Sequence, residues 1–108
     1  MASVFKNYFT QNIGTSNSAV YTAPGGAQST IIGITLCNVT EQTIKASIFV
    51  NSGGSNTFMV KGCYLTIGSS LVPVGGDQKL VLEGGDAVYV YSNTASAIDV
   101  IVSALEIT

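Results

Sequence analysis

The sequence has 108 residues, of which 46% are hydrophobic and only 9% are charged, and it contains no His, Arg or Trp. This composition excludes global disorder, and no apolar run reaches the ~18 residues that a membrane-spanning helix needs. The net charge of −2, with four scattered lysines, argues against nucleic-acid binding, which needs clustered cations to neutralise phosphates. So little charge instead predicts a surface that is partly covered by copies of the chain or by a partner.

Residues 1–18 differ from the rest of the chain because they carry Phe5, Tyr8 and Phe9 among Asn, Gln, Ser and Thr. Their spacing is typical of neither a regular strand nor a helix, so two interpretations stay open. The segment is either an N-terminal arm that docks on a neighbour through its aromatic rings or a first strand at the edge of the core. It lacks the continuous apolar region of a signal peptide, which predicts a product that stays in the cytosol where it is made unless it leaves as part of a larger assembly.

From residue 19 onward, short β-branched segments alternate with Gly-rich turns, as is typical of strands. The apolar stretch 31–37 predicts a central strand, in which Gly33 indicates a bulge or a close backbone approach. Around the turn 51–56, the pattern predicts a hairpin with Phe58 and Val60 facing inward and Met59 facing outward. The predicted strands are residues 19–22, 29–39, 43–50, 57–63, 78–83, 87–92 and 97–107.

This regular spacing predicts an all-β fold, an antiparallel β-sandwich or jelly-roll-like domain of seven to eight strands. The sandwich domain is predicted over residues 19–108, with residues 1–18 as the arm or edge strand. Its core is predicted to contain Ile34, Leu36, Ile48, Val60, Val90, Val100 and Val102.

The residues that could carry chemistry are few. Cys37 and Cys63 are predicted to be reduced thiols, and with no His and no C-x-x-C spacing they do not predict a metal site. Glu83 and Asp86 flank a Gly-Gly turn, where carboxylates are turn formers more often than a glycosidase pair. Gly75, Gly76 and Asp77 are predicted to be a similar turn. No base is placed beside a Ser or Thr nucleophile. We therefore predict no catalytic residue, no cofactor and no metal.

For Tyr89 and Tyr91 we predict cross-strand packing or contact across a subunit interface. A sugar-stacking strip of a carbohydrate-binding module is the alternative. The residues predicted to contact a partner or a sister subunit are Phe5, Tyr8, Phe9, Phe49, Met59, Tyr89 and Tyr91.

Two stretches carry a family resemblance. One comprises VYTAPGG at 20–26, STIIGI at 29–34 and NVT at 38–40, and the other is LVPVGGDQKLVLEGGD at 71–86. They resemble small β-sandwich virion structural proteins of tailed bacteriophages, and most of all capsid decoration (cement) proteins. The resemblance implies a non-enzymatic virion component that binds the major capsid protein on the outer shell, usually as a homotrimer. A neck, tail or baseplate component is the alternative that the same motifs allow.

Overall fold

The computed structural model describes residues 3–75 and 78–107, and these form nine β-strands and no helix. Gly76 and Asp77, within the second motif, lie outside the described residues, as do Met1 and Ala2 of the N-terminal segment. The all-β prediction is confirmed, and β6 is a strand that the sequence pattern did not predict. The strands are β1 (Ser3–Ile13), β2 (Ser18–Thr22), β3 (Gln28–Asn38), β4 (Ile44–Ser52), β5 (Ser55–Leu65), β6 (Ser70–Val74), β7 (Leu80–Glu83), β8 (Ala87–Ser92) and β9 (Ile98–Ile107).

The strands form two antiparallel sheets that pack face to face. In the five-stranded sheet, the order is β1-β9-β3, and both β6 and β7 pair with the far side of β3. In the four-stranded sheet, the order is β2-β8-β4-β5. The chain crosses repeatedly between the sheets, and this strand order is that of a double-sheet jelly roll.

The core lies between the sheets and is built by alternating residues. Along β9, Ile98, Val100 and Val102 are at most 1% exposed, whereas the intervening Ile101 is 51% exposed. Six of the seven predicted core residues are buried, and the seventh, Val60, is half-buried and packs against the same cluster. Period-two alternation therefore predicted the inner faces correctly, since successive side chains point to opposite sides of a sheet.

Gly33 lies at an irregularity, one of the two features that its position in the sequence suggested. The pairing of β3 with β9 shifts register between Ile31 and Gly33. A Cβ atom at Gly33 would lie 3.6 Å from the carbonyl oxygen of Val74, which is an ordinary van der Waals contact and not an unusually close approach. The glycine thus marks the point where β3 changes its edge partner from β7 to β6.

The prediction for the β4–β5 hairpin was wrong at two positions. Phe58 is 38% exposed and lies 5.1 Å from the ring of Phe49, while Met59 packs against the core. The register runs from Ile48↔Val60 to Phe49↔Phe58, so Met59 is an extra residue in β5. One such insertion reverses the facing of the residues beyond it, which strict alternation does not anticipate.

Hydrogen bonds fix the turn between β7 and β8. The Asp86 carboxylate accepts a hydrogen bond from the Ser52 hydroxyl at 2.7 Å and one from the Glu83 backbone N–H at 3.0 Å. These contacts give Asp86 a turn-forming role. Both cysteines are free thiols and are half-buried.

Candidate interaction surface

The N-terminal segment forms β1, at the edge of the five-stranded sheet, where it pairs with β9 from Ser3↔Ile107 to Thr10↔Val100. Alternation divides its three aromatic residues between the two faces of that sheet. Phe5 and Phe9 are 75% and 68% exposed, whereas the ring of Tyr8 packs against the core. Two of the three rings are therefore available to a partner, and the third anchors the strand.

Tyr8 belongs to a polar network between the sheets. Its hydroxyl donates a hydrogen bond to Glu106 Oε2 at 2.9 Å, and Tyr21 donates another to the same oxygen at 2.8 Å. Tyr21 Oη also lies 2.6 Å from Ser29 Oγ, and the two tyrosine rings meet edge to face at 5.0 Å. Because Tyr21 belongs to β2 and its partners to β1, β3 and β9, the network joins both sheets.

The pKa values of both tyrosines in the network are raised. Burial is the main cause that raises the pKa of Tyr21 to about 12, and the Glu106 carboxylate adds to it against an opposing effect of Ser29. Burial and Glu106 raise the pKa of Tyr8 as well. The sequence interpretation missed this network, although Glu106 shares the parity of the buried Val102 and Ala104 in β9 and could have been identified as inward-facing.

The outward side of the five-stranded sheet presents two apolar rows. In the first row, Phe5 pairs with Leu105, Leu105 pairs with Thr30, and Thr30 pairs with Val81. In the second row, Phe9 pairs with Ile101 and Ile101 with Thr35, beside the exposed Val72 of β6. We call this surface the outer apolar face, defined by Phe5, Phe9, Val72, Val81, Ile101 and Leu105.

The two rows are four residues apart along β1 and β9, a separation of about 13 Å. Between them, Asn7 pairs with Ser103 and Ser103 with Gly33, which leaves a shallow groove of about 600 Å³. Neither row contains a Lys, Asp or Glu. Each row is therefore an uncharged ridge across the width of the sheet.

The exposed area of the outer apolar face follows from the exposed fractions of its side chains. Five of its side chains are 51% to 75% exposed. A whole aromatic side chain has an area of ~150–250 Å², and Val and Ile have less. Multiplied by the exposed fractions, these areas give a total exposed apolar surface on the order of 500 Å². A patch of this size is at the upper end of what monomeric proteins leave in water. We therefore take the outer apolar face as the candidate interaction surface.

The outward side of the four-stranded sheet is aromatic too, but its rings cover one another. Phe49 is only 3% exposed, because Tyr89 stacks on it at 5.3 Å and Phe58 and Tyr91 pack around it. Tyr89 and Tyr91 are half-buried in this cluster. Lys61 Nζ lies 5.1 Å from the centroid of the Phe58 ring. Much of this aromatic area is thus already used inside the subunit.

The structure therefore separates the predicted contact residues into two groups. Phe5 and Phe9 lie on the outer apolar face, while Tyr8, Phe49 and Met59 pack within the subunit. The sequence interpretation missed Val72 and Val81, which are 57% and 66% exposed on the same face as the two phenylalanines. The alternation of Val81 with the inward Leu80 and Leu82 was the signal that could have identified it.

The described part of the chain shows no group of three or more His, Cys, Asp and Glu side chains that could hold a metal ion. Residues 3–75 and 78–107 also contain no helix long and apolar enough to cross a membrane.

No protein-family model and no curated protein matches the sequence. Among solved structures, the chain is similar to a protein of Bacillus endospore appendages, which form disulfide-linked pili, with a TM-score of 0.58 and 13% identity over 98% of this chain and 88% of that one. A pentameric capsid protein from metagenomic phage sequences gives a TM-score of 0.46 and 17% identity over 96% of this chain and 61% of that one. A chain of infectious bursal disease virus, Gt strain, gives 0.46 and 10% over 97% and 32%. At 13% identity, the first similarity shows a shared fold, and function has to be inferred from the surface of this chain.

Proposed function

We propose that this protein is a non-enzymatic structural component of a bacteriophage virion, specifically a capsid decoration (cement) protein that binds the outside of the shell and stabilises it. The observation that carries the proposal is the outer apolar face, whose two rows cross the five-stranded sheet without a charged side chain. The largest apolar patch of a monomer is often functional. The two motifs that resemble virion proteins support the capsid as the partner.

Phe5 and Phe9 are the proposed anchors of the contact. Each ring supplies on the order of 2 kcal/mol when it is buried. Their backbone is already ordered, because β1 is paired with β9 and Tyr8 ties it to Glu106. Such preorganisation lowers the entropic cost of binding, so a larger share of the apolar burial contributes to affinity.

The low charge and the exposed face also support a homo-oligomer on the shell. The resemblance favours a trimer, with a dimer next. Phe49, Met59, Tyr89 and Tyr91 were proposed as contacts on the same grounds as Phe5 and Phe9, but their packing within the subunit makes them weaker candidates.

A matched pair of substitutions tests the proposed contact. Shells assembled from the major capsid protein of the same genome are mixed with purified protein and separated on a density gradient. Phe9→Ser should raise the dissociation constant for shells about 30-fold, which corresponds to a loss of ~2 kcal/mol in binding free energy. Tyr64→Ser is the control, because Tyr64 has the same 68% exposure but lies on β5 of the other sheet.

The outcomes discriminate between the candidate functions. Equal binding by both variants would exclude the outer apolar face as the contact. Binding to purified tails but not to shells would favour a neck, tail or baseplate component. Strong hits on a glycan array that are lost in Tyr91→Ala would favour a carbohydrate-binding module.

A further inference from the structure

The edge strands of the two sheets differ in how well they are protected from pairing with another chain. β2 has five residues and a register shift, and β7 has four residues. β6 has five residues and contains Pro73. β5 is longer, but its register breaks twice and Gly62 has a φ of +66°. Short length, proline, bulges and charged side chains are devices that prevent edge-to-edge association.

The β1 edge has one of these devices, Lys6, and lacks the others over most of its length. Every residue from Ser3 to Thr10 is paired with β9 in continuous register, and the stretch contains no Gly and no Pro. The first irregularity comes only between Thr10 and Ile13. Because β1 pairs with β9 on one side alone, half of its backbone N–H and C=O groups point away from the sheet and are free for another strand.

We infer that the β1 edge binds the β1 edge of a second copy of this chain, antiparallel, around a twofold axis at Asn7. This contact goes beyond the proposed function, because it forms with or without a shell. A twofold contact uses the same patch on both subunits, so the strand has to be complementary to itself. The sequence of β1 allows such self-pairing, both in the register of the two strands and in the charges that this register brings together.

The alternation of side chains limits the possible registers. Opposite residues of antiparallel strands point to the same face of a sheet. The cores of the two subunits therefore lie on the same side of the joined sheet only if the twofold axis passes between the two copies of one residue. An axis at Lys6 would place two lysines directly opposite each other, which is unfavourable. An axis at Asn7 places Lys6 opposite Tyr8 of the second copy. Lys6 is the only charged residue of β1, and its two copies then lie at diagonal positions about 8 Å apart, where repulsion is weaker than between opposite residues.

The same register joins the two outer apolar faces. Phe5 of one copy then lies opposite Phe9 of the other, and this aromatic pair occurs twice around the axis. The two five-stranded sheets become one continuous sheet with a single apolar surface. A dimer of this kind would present two sets of the anchors proposed for shell binding.

The expected affinity is modest. A single strand pair buries less than the ~1,200 Å² of a standard interface. We therefore expect a dissociation constant on the order of 10 µM, measured by sedimentation equilibrium between 1 and ~200 µM protein. Asn7→Lys places two lysines directly opposite and should raise this constant about fivefold, which corresponds to ~1 kcal/mol. Gln11→Lys adds the same charge to the same exposed strand and should leave it unchanged.

Cross-linking tests the register independently. In a Cys37→Ser, Cys63→Ser background, Asn7→Cys places two thiols on opposite residues, with Cα atoms ~5 Å apart and within disulfide reach. Mild oxidation should then give a covalent dimer. Gln11→Cys is the control, because the two copies of that position would lie about 25 Å apart. Circular dichroism melting curves establish that each variant is folded.

A monomeric or trimeric wild-type protein at ~200 µM overturns the inference, as does equal cross-linking at positions 7 and 11. A dimer that Asn7→Lys weakens and Asn7→Cys captures supports it. Shell binding by a Val81→Ser variant shows separately whether the proposed function holds, because Val81 lies on the outer apolar face in β7, on the far side of β3 from the β1 edge. This variant should bind shells more weakly and dimerise as the wild type does.

Discussion

Replacing Tyr21 with Phe should destabilise the fold more than any surface tyrosine replacement. The hydroxyl of Tyr21 is one of two phenols that donate to Glu106, and it also contacts Ser29. Tyr21, Ser29 and Glu106 are 3%, 1% and 7% exposed, so water has little access to groups left without a partner. The ring itself stays in place in the variant, so the effect isolates the hydroxyl.

The magnitude follows from the contacts that are lost. A hydrogen bond to a charged acceptor contributes about 1.5–3 kcal/mol, and a buried polar group without a partner costs about 1–3 kcal/mol. We expect Tyr21→Phe to lower the free energy of unfolding by about 2–3 kcal/mol. In a domain of this size, that corresponds to a fall in melting temperature of roughly 10 °C.

Urea unfolding followed by circular dichroism measures the change. Tyr64→Phe is the matched control, since Tyr64 is 68% exposed, and its variant should stay within about 0.5 kcal/mol of the wild type. Combining Tyr21→Phe with Tyr8→Phe should give a non-additive loss, because both hydroxyls bind the same carboxylate oxygen. A Tyr21→Phe variant as stable as Tyr64→Phe would refute the reasoning.

Three further predictions concern stability. Gly84→Ala should lower the melting temperature, because its Cβ would lie 3.0 Å from a backbone carbonyl oxygen, whereas Gly25→Ala meets nothing within 4 Å and should be tolerated; matched melting curves compare them. Val100→Ala should cost about 1–3 kcal/mol in urea unfolding, because it removes fully buried methyl groups; a smaller loss would contradict its core position. The raised pKa values of Tyr8 and Tyr21 stabilise the fold fully below pH ~10, and the contribution of Tyr21 should disappear as pH rises through about 12. Unfolding measured from pH 9 to 12 should show that loss, and Tyr21→Phe should reduce it.

Local patterns predicted the fold where alternation was unbroken. In β9, inward Val100 and Val102 alternate with outward Ile101 and Ser103, and a period of two is enough to assign their faces. The pattern failed at Met59, where a bulge inserts one residue and turns Phe58 outward. The residues around Met59 do not indicate the bulge, because the bulge depends on how β5 pairs with β4.

Other features depend on distant parts of the chain. The strand β6 was missed because Pro73 argues against a central strand, and the fold tolerates it at an edge. The contact between Tyr21 and Glu106 spans 85 residues of sequence, so only the strand order reveals it. The exposed Phe5 and Phe9 were predicted to contact a partner, but their position at a sheet edge follows from the pairing of β1 with β9.

The inward and outward side chains of strand β1 have different roles. Its inward Tyr8 fixes the strand to the core through Glu106, and its outward Phe5 and Phe9 stay exposed on an ordered backbone. Because the two sides alternate along a single strand, loosening the Tyr8 contact would also loosen the phenylalanines. The stability of the core and the presentation of the outer apolar face are therefore coupled, and a substitution inside the sandwich can weaken binding without touching the contact surface.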